Sequence, residues 1–586
     1  MTLRALPRCR LLALLAALML AGFRLTAADN PPAATPERVV ELPPLMVAEP
    51  INGPPWHYLE TPDLEVLARC NDPAIMHFAE EWHRLQHLLT VLVPENMQAH
   101  RSVPDIAVIY NEETKPTVAQ EVVADLLRDE KETKGGNREE GRRGKRDVSY
   151  SSMPNLRLSD RDGTASFFII EEKNFTRTSL ALTPDYIRSA LRNRTPAPPT
   201  WFVEGFVELY DKGDYEQNPI TLGPVEWGSE ADTKNLKADP DYPRALVPLA
   251  DFFTQPPPTA PADAALWRSQ ASLFLRWAMD GENHPRREAL WQFVTRISAG
   301  GFVTEDMFRD CFGLGYVDAQ ERLSDYLASA VIGSVHFDAG KPEPLPKVVP
   351  RLANDADIAR VKGDLERLEI TWIKSRYPQL TQKYAEQARR TFARAYDKGL
   401  RDPRLLAVMG LCEVDAGNDA GAQKYLESAL RGGGMLRPRA SYELARLRYA
   451  EAKKKPGAQG DRLSAEQATD VLQPLASSRI ALPPLLETYA LTAEVWARSV
   501  PAFTRQNLSF LDEGITYFPR NVPLIYQAAW LNARQGFTTE ADALITRGLN
   551  AGADPAFRTR LEQLRSKLVL VNNASAAAHS AAPAQP

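Results

Sequence analysis

Apolar residues recur at helical spacing in two early stretches, LEVLARC at 64–70 and HFAEEWHRLQHLLTVLV at 77–93. Two short runs read instead as strands. One follows Pro104 and Asp105, with IAVIY at 106–110; the other is TASFFIIE at 164–171. From 184 to 335 the pattern is mostly helical, interrupted by a long Pro-, Gly- and Asp-rich loop at 211–262. The stretch KPEPLPKVVP at 341–350 reads as a linker, and the chain after it is helical almost to its end. The last residues, NASAAAHSAAPAQP, are low in complexity and offer nothing for a core. At 586 residues the chain is too long for one ordinary core, so two or more domains are expected.

The C-terminal half repeats itself. Ala388, Phe392 and Ala395 recur 34 residues later as Ala422, Leu426 and Ala429, with Gly410 and Gly417 preceding the second set. Gly536, Ala541 and Ile545 return to the pattern further on. Small residues where two helices touch, with a larger apolar residue to fill the gap, resemble tetratricopeptide repeats. That resemblance implies stacked helix pairs forming an all-α solenoid with a concave surface for a protein or peptide. The Lys- and Gly-rich stretch at 451–460 reads as an insertion between repeats.

Charge changes the picture at the ends. Residues 1–28 hold Arg4, Arg8, Arg10 and Arg24 and no acid, leaving 66 basic against 75 acidic residues in the remainder. The first three arginines, the apolar run LLALLAALMLAGF at 11–23 and the small residues Thr26, Ala27 and Ala28 make the pattern of a secretory signal. A periplasmic or secreted protein is expected, with no membrane span after signal cleavage. The acidic balance of the rest argues against nucleic acid as partner. A Pro- and Ala-rich linker is expected at 29–55, and the charged stretch at 129–148 reads as a solvated loop. Cys70, Cys311 and Cys412 are far apart and odd in number, which excludes a disulfide framework.

The candidate chemistry lies at 183–210, TPDYIRSALRNRTPAPPTWFVEGFVELY. WFVEGFVELY resembles the third-ligand helix of gluzincin-type (peptidase MA-like) metallopeptidases, commonly W-x-x-E-G-x-A-E. By that resemblance Glu204 falls on the third zinc ligand, and Gly205 and Glu208 also match. The preceding segment takes the place of HExxH, in which two His four residues apart bind zinc and the Glu polarises its water. Pro184 falls on the first His, Asp185 on the catalytic Glu, Arg188 on the second His, and Leu191 on an apolar position of the motif. Proline has no donor atom, and arginine brings a fixed positive charge to the place of a dication. Thr183 and Pro184 also read as a helix start, an N-cap followed by Pro. SQASLFLRWAM at 269–279 and the F-x-x-x-F-G element at 308–313 resemble the C-terminal helices of the same domain. The resemblance covers roughly 56–335 and, without HExxH, does not carry the family's activity with it.

Two rival sites remain. Glu80, His83 and His87 share one helix face and could ligate zinc in a metallohydrolase with non-standard ligands. Asp185, Glu204 and Glu208 could form a carboxylate cluster. The nucleophile elbow, the phosphate-binding P-loop and the dinucleotide-binding glycine pattern do not occur. The expected architecture is α+β. A zincin-like domain of mixed sheet and helices at 56–336 is followed by a linker at 337–355, a tetratricopeptide-like solenoid at 356–570 and a structureless tail at 571–586. The expected function is a non-catalytic scaffold without cofactor, whose solenoid binds a protein or peptide. Nothing in the chain sets an oligomeric state.

Overall fold

The computed structural model describes residues 54–94, 102–111, 156–170, 184–214, 219–239, 242–280, 285–337, 340, 347–433, 437–455, 462–500 and 503–580. The expected leader, residues 29–53 of the first linker and the charged stretch at 129–148 lie outside them. The fold is mixed α+β, with the sheet in the N-terminal region and a helical C-terminal region. Residues 52–586 form one compact unit.

Strands β1 (His57–Glu60), β2 (Leu64–Arg69), β3 (Asp105–Asn111), β4 (Leu156–Ser159) and β5 (Thr164–Ile170) build most of the main sheet. A small antiparallel sheet holds β6 (Gly213–Asp214), β7 (Ile220–Leu222) and β8 (Val335–Phe337). The last strand, β9 (Arg351–Leu352), closes the main sheet, whose order is β4-β5-β3-β2-β1-β9. The three central strands β5, β3 and β2 run parallel, and the outer strands pair antiparallel.

Both faces of the sheet are covered. On β3, Ala107 and Ile109 enter one core while Ile106, Val108 and Tyr110 enter another. The same alternation places Val66 and Ala68 of β2 opposite Leu67. This corrects the helical expectation for LEVLARC: residues 64–69 are strand β2. A strand buried on both sides reads as a short apolar run, which periodicity cannot tell from a helix.

The first face carries α1 (Asp72–Leu92), α2 (Pro184–Arg192), α3 (Thr200–Asp211), α4 (Glu230–Ala238), α5 (Leu249–Thr254), α6 (Pro261–Met279), α7 (Pro285–Ser298), α8 (Glu305–Phe312) and α9 (Tyr316–Ala330). The stretch 211–262, expected as loop, thus contains two short helices and two strands. A capping box on Ser229 and Asp232 starts α4, and Leu249, Phe252 and Phe253 bury α5.

The opposite face is covered by α10 (Asp355–Arg376), whose Ala359, Val361, Leu365 and Leu368 share a core with Leu67, Val108 and Phe167. The sheet therefore contributes to the core on either side of the segment at 337–355. Its Arg351 and Leu352 pair with Tyr58 and His57 at the sheet edge. Consecutive helices then pack together: α11 (Thr381–Tyr396) on α10, α12 (Pro403–Ala416) with α13 (Asp419–Arg431), and α14 (Pro438–Lys454) with α15 (Ala465–Ile480). Next come α16 (Leu486–Arg498), α17 (Arg505–Tyr517), α18 (Val522–Arg534), α19 (Thr538–Asn550) and α20 (Pro555–Ser580). The last helix runs past residue 570 into the segment expected to lack structure. Among the described residues no helix is long and apolar enough to cross a membrane.

A buried ionic lattice joins the sheet to the helical array. The turn between β4 and β5 is closed by Asp160, whose Oδ1 accepts the N–H groups of Asp162 and Gly163 at 3.1 and 2.8 Å. Asp162 Oδ1 accepts Arg437 Nη2 at 2.9 Å, and Asp160 Oδ2 accepts Arg439 Nη1 at 2.8 Å. Arg437 also pairs with Asp364, and Arg439 with Asp415. Gly163 is required here, because a Cβ at this position would lie 2.0 Å from Arg437 Nη2. That guanidinium is locked between two carboxylates and cannot give way. Gly163→Ala is expected to cost about 1–3 kcal/mol. A fall in the thermal midpoint would report it, and an unchanged midpoint would show that the turn is not held by Arg437.

Candidate functional site

Helix α2 is described from Pro184, with Thr183 outside the described residues, and presents Arg188 and Arg192, four residues apart, on one face. Helix α3 follows after a Pro-rich connection. It is buried nearly all round, from Trp201 to Leu209. Trp201 anchors it in an aromatic core, 5.2 Å from Phe253 and 5.5 Å from Phe274 between ring centroids. Phe308 and Phe312, the two aromatics of the F-x-x-x-F-G element, stack at 4.5 Å in the same core. Gly205 lets α3 lie against α6, since a Cβ there would stand 2.6 Å from the Ala271 carbonyl oxygen.

This packing leaves Glu204 only 7% exposed and facing α2. Arg188 donates through Nε to both Glu204 oxygens at 3.0 Å. Arg192 donates through Nη2 to Oε1 at 2.6 Å. Two guanidiniums thus hold the carboxylate, placing two positive charges beside it. Reading the sequence identified Arg188 but missed Arg192. The available signal was its spacing: it lies one helical turn after Arg188.

The other candidates are placed as follows. Helix α2 includes Pro184 and Asp185, but their side chains lie outside the described residues. Glu208, one turn beyond Glu204, pairs with Arg268 at 3.4 Å, and burial raises its carboxyl despite that arginine. On α1, Glu80 is exposed while His83 and His87 are half-buried beside the core residues Trp82, Leu85 and Leu88. Among the described residues no three His, Cys, Asp or Glu side chains converge into a metal-binding group. Cys70 and Cys412 are buried and Cys311 is partly buried, and none of the three forms a disulfide.

What the arrangement can do chemically is therefore limited. Glu204 is largely buried and accepts from both arginines, which ties α2 to α3. No protein-family model and no curated protein matches the chain.

Proposed function

We propose that this is an exported, non-catalytic binding protein. A metallopeptidase-like pair of helices has become a structural clamp, and a tetratricopeptide-type solenoid supplies the surface for a protein or peptide partner. The observation that carries this reading is the double engagement of Glu204 by Arg188 and Arg192. A residue in the place of a zinc ligand spends its charge on two cations of its own chain.

The helical half supports the second element. Ala388, Phe392, Ala395, Ala422, Leu426 and Ala429 are all buried. Phe392 and Leu426 lie against Gly363 and Gly410 of the helices preceding theirs. Small-against-large packing of this kind is what stacked helix pairs require. The basic and apolar leader supports export.

Metal analysis and a cleavage assay test the reading together. Purified protein is expected to carry no stoichiometric zinc, both as wild type and as Glu204→Ala, and to leave a denatured polypeptide uncut with or without chelator. One zinc per chain that is lost in Glu204→Ala or in His83→Ala/His87→Ala, or chelator-sensitive cleavage, would overturn it in favour of a metallohydrolase with non-standard ligands.

A further inference from the structure

A cleft of about 880 Å³ lies between the N-terminal helices and the C-terminal array. Its size falls in the range of ligand-binding clefts. Four arginines line it, Arg161, Arg192, Arg194 and Arg520, against the single acid Glu487. Positive charge is thus concentrated here on a chain whose formal net charge is −5. The walls between the arginines are apolar. Pro256 and Pro257 come from one side and Tyr517 and Phe518 from the other, with Leu486 beside them.

We propose that this cleft binds a short acidic, extended segment of a partner polypeptide. The inference deepens the binding-protein reading above and rests on it, adding where the partner is held and by what chemistry. The mixture of walls selects the ligand class. Spaced guanidiniums match carboxylates, while aromatic and proline surfaces match the apolar side chains between them.

The arginines are differently prepared. Arg161 projects from the β4–β5 turn between Asp160 and Asp162, which face the buried lattice, so a rigid element presents it. In the free protein Arg161 spans to Glu487 at 2.9 Å, and both side chains are partly exposed. Such a pair is worth about 0–1 kcal/mol, so an incoming carboxylate can replace Glu487 at little cost. Arg520 donates only to neutral groups in the described contacts, the carbonyls of Ile297 and Gly301 at 3.3 and 3.1 Å. Its charge is not balanced by a carboxylate among the described residues. Arg192 links the cleft to the Glu204 clamp.

The test is selection of a random dodecapeptide pool on the full chain. Bound peptides are expected to be enriched in Asp and Glu interspersed with apolar residues. Synthetic versions of the winners are expected to lose affinity about tenfold or more on Arg161→Glu/Arg520→Glu. The equally charge-reversed control Arg558→Glu/Lys567→Glu, on the exposed face of α20, is expected to bind as wild type. Absence of acidic enrichment, or enrichment that survives in the cleft variant, overturns the proposal. So does an equal loss in the control variant, which would reduce the effect to overall charge. Displacement of the peptides by millimolar inorganic phosphate, or Arg161-dependent binding to anionic vesicles in their place, would reassign the cleft to phosphate-bearing ligands and likewise overturn it. These outcomes are independent of zinc content. A zinc-free, inactive protein without acidic selection refutes the cleft and leaves the binding-protein reading standing.

Discussion

Replacing Arg367 with methionine is expected to destabilise the protein by about 3–5 kcal/mol. Arg367 is completely buried. It donates through Nε to Asp364 at 2.7 Å and through Nη1 to Asp415 at 2.9 Å, and it pairs with Asp160 at 2.8 Å. Removing it strands three carboxylates in a low-dielectric interior with only Arg437 and Arg439 left to serve them. The cost arises from the uncompensated charges and not from the lost contacts themselves, because a buried ion pair roughly breaks even against well-packed apolar residues. The experiment is a comparison of thermal or denaturant midpoints with Arg367→Met/Asp364→Leu, which removes a carboxylate along with the cation. The double variant is expected to be more stable than the single one. Equal losses would show that the lattice does not act as a unit.

The lattice also sets an acid limit on stability. Burial alone would raise the Asp160 carboxyl, but Arg367, Arg437 and Arg439 hold it well below the usual carboxylate range. Its contribution is therefore present above the ordinary aspartate value, about 3.9, and is lost as pH falls through the depressed one. Asp162 moves the other way, raised first by burial and further by the charge of Asp160, with Arg437 opposing. Asp160, Asp162, Asp364 and Asp415 face only three arginines, so one carboxylate is in excess.

The second large effect has the opposite sign. Glu369→Met is expected to stabilise the protein by about 1–3 kcal/mol at neutral pH. Glu369 lies fully buried on α10, and neither carboxyl oxygen has a hydrogen-bond partner among the described residues. Burial, reinforced by the charge of Glu366, raises it well above the usual glutamate range, and Lys362 only partly opposes this. Lys362 is occupied with Glu366, at 2.7 Å. The native state therefore keeps a proton that the unfolded chain releases above the ordinary glutamate value, about 4.3. Stability from this group falls as pH rises from there toward the raised value and is unaffected below it. The advantage of the methionine variant should accordingly be small near pH 4 and grow toward neutrality, measured as the difference in midpoint between variant and wild type. A variant less stable at every pH would mean that the carboxyl serves a partner and is not a burden.

The parts legible in advance were those written in local order. IAVIY and TASFFII form β3 and β5 because β-branched and aromatic residues dominate both runs. The segment 184–192 is a helix, as its pattern indicated. LEVLARC failed as a reading because only the covering of both faces by α1 and α10 distinguishes its strand from a helix.

The sequence by itself determined the helical character of the C-terminal half and the small-residue positions at which its helices touch. Each is a property of residue identity and near-neighbour spacing. Only the tertiary structure decided that the helical array shares a core with the sheet, that Arg192 joins Arg188 on Glu204, and that Asp162 meets Arg437 from 275 residues away. Charge pairing inside a protein depends on which solvated groups folding buries together, and no local periodicity records that.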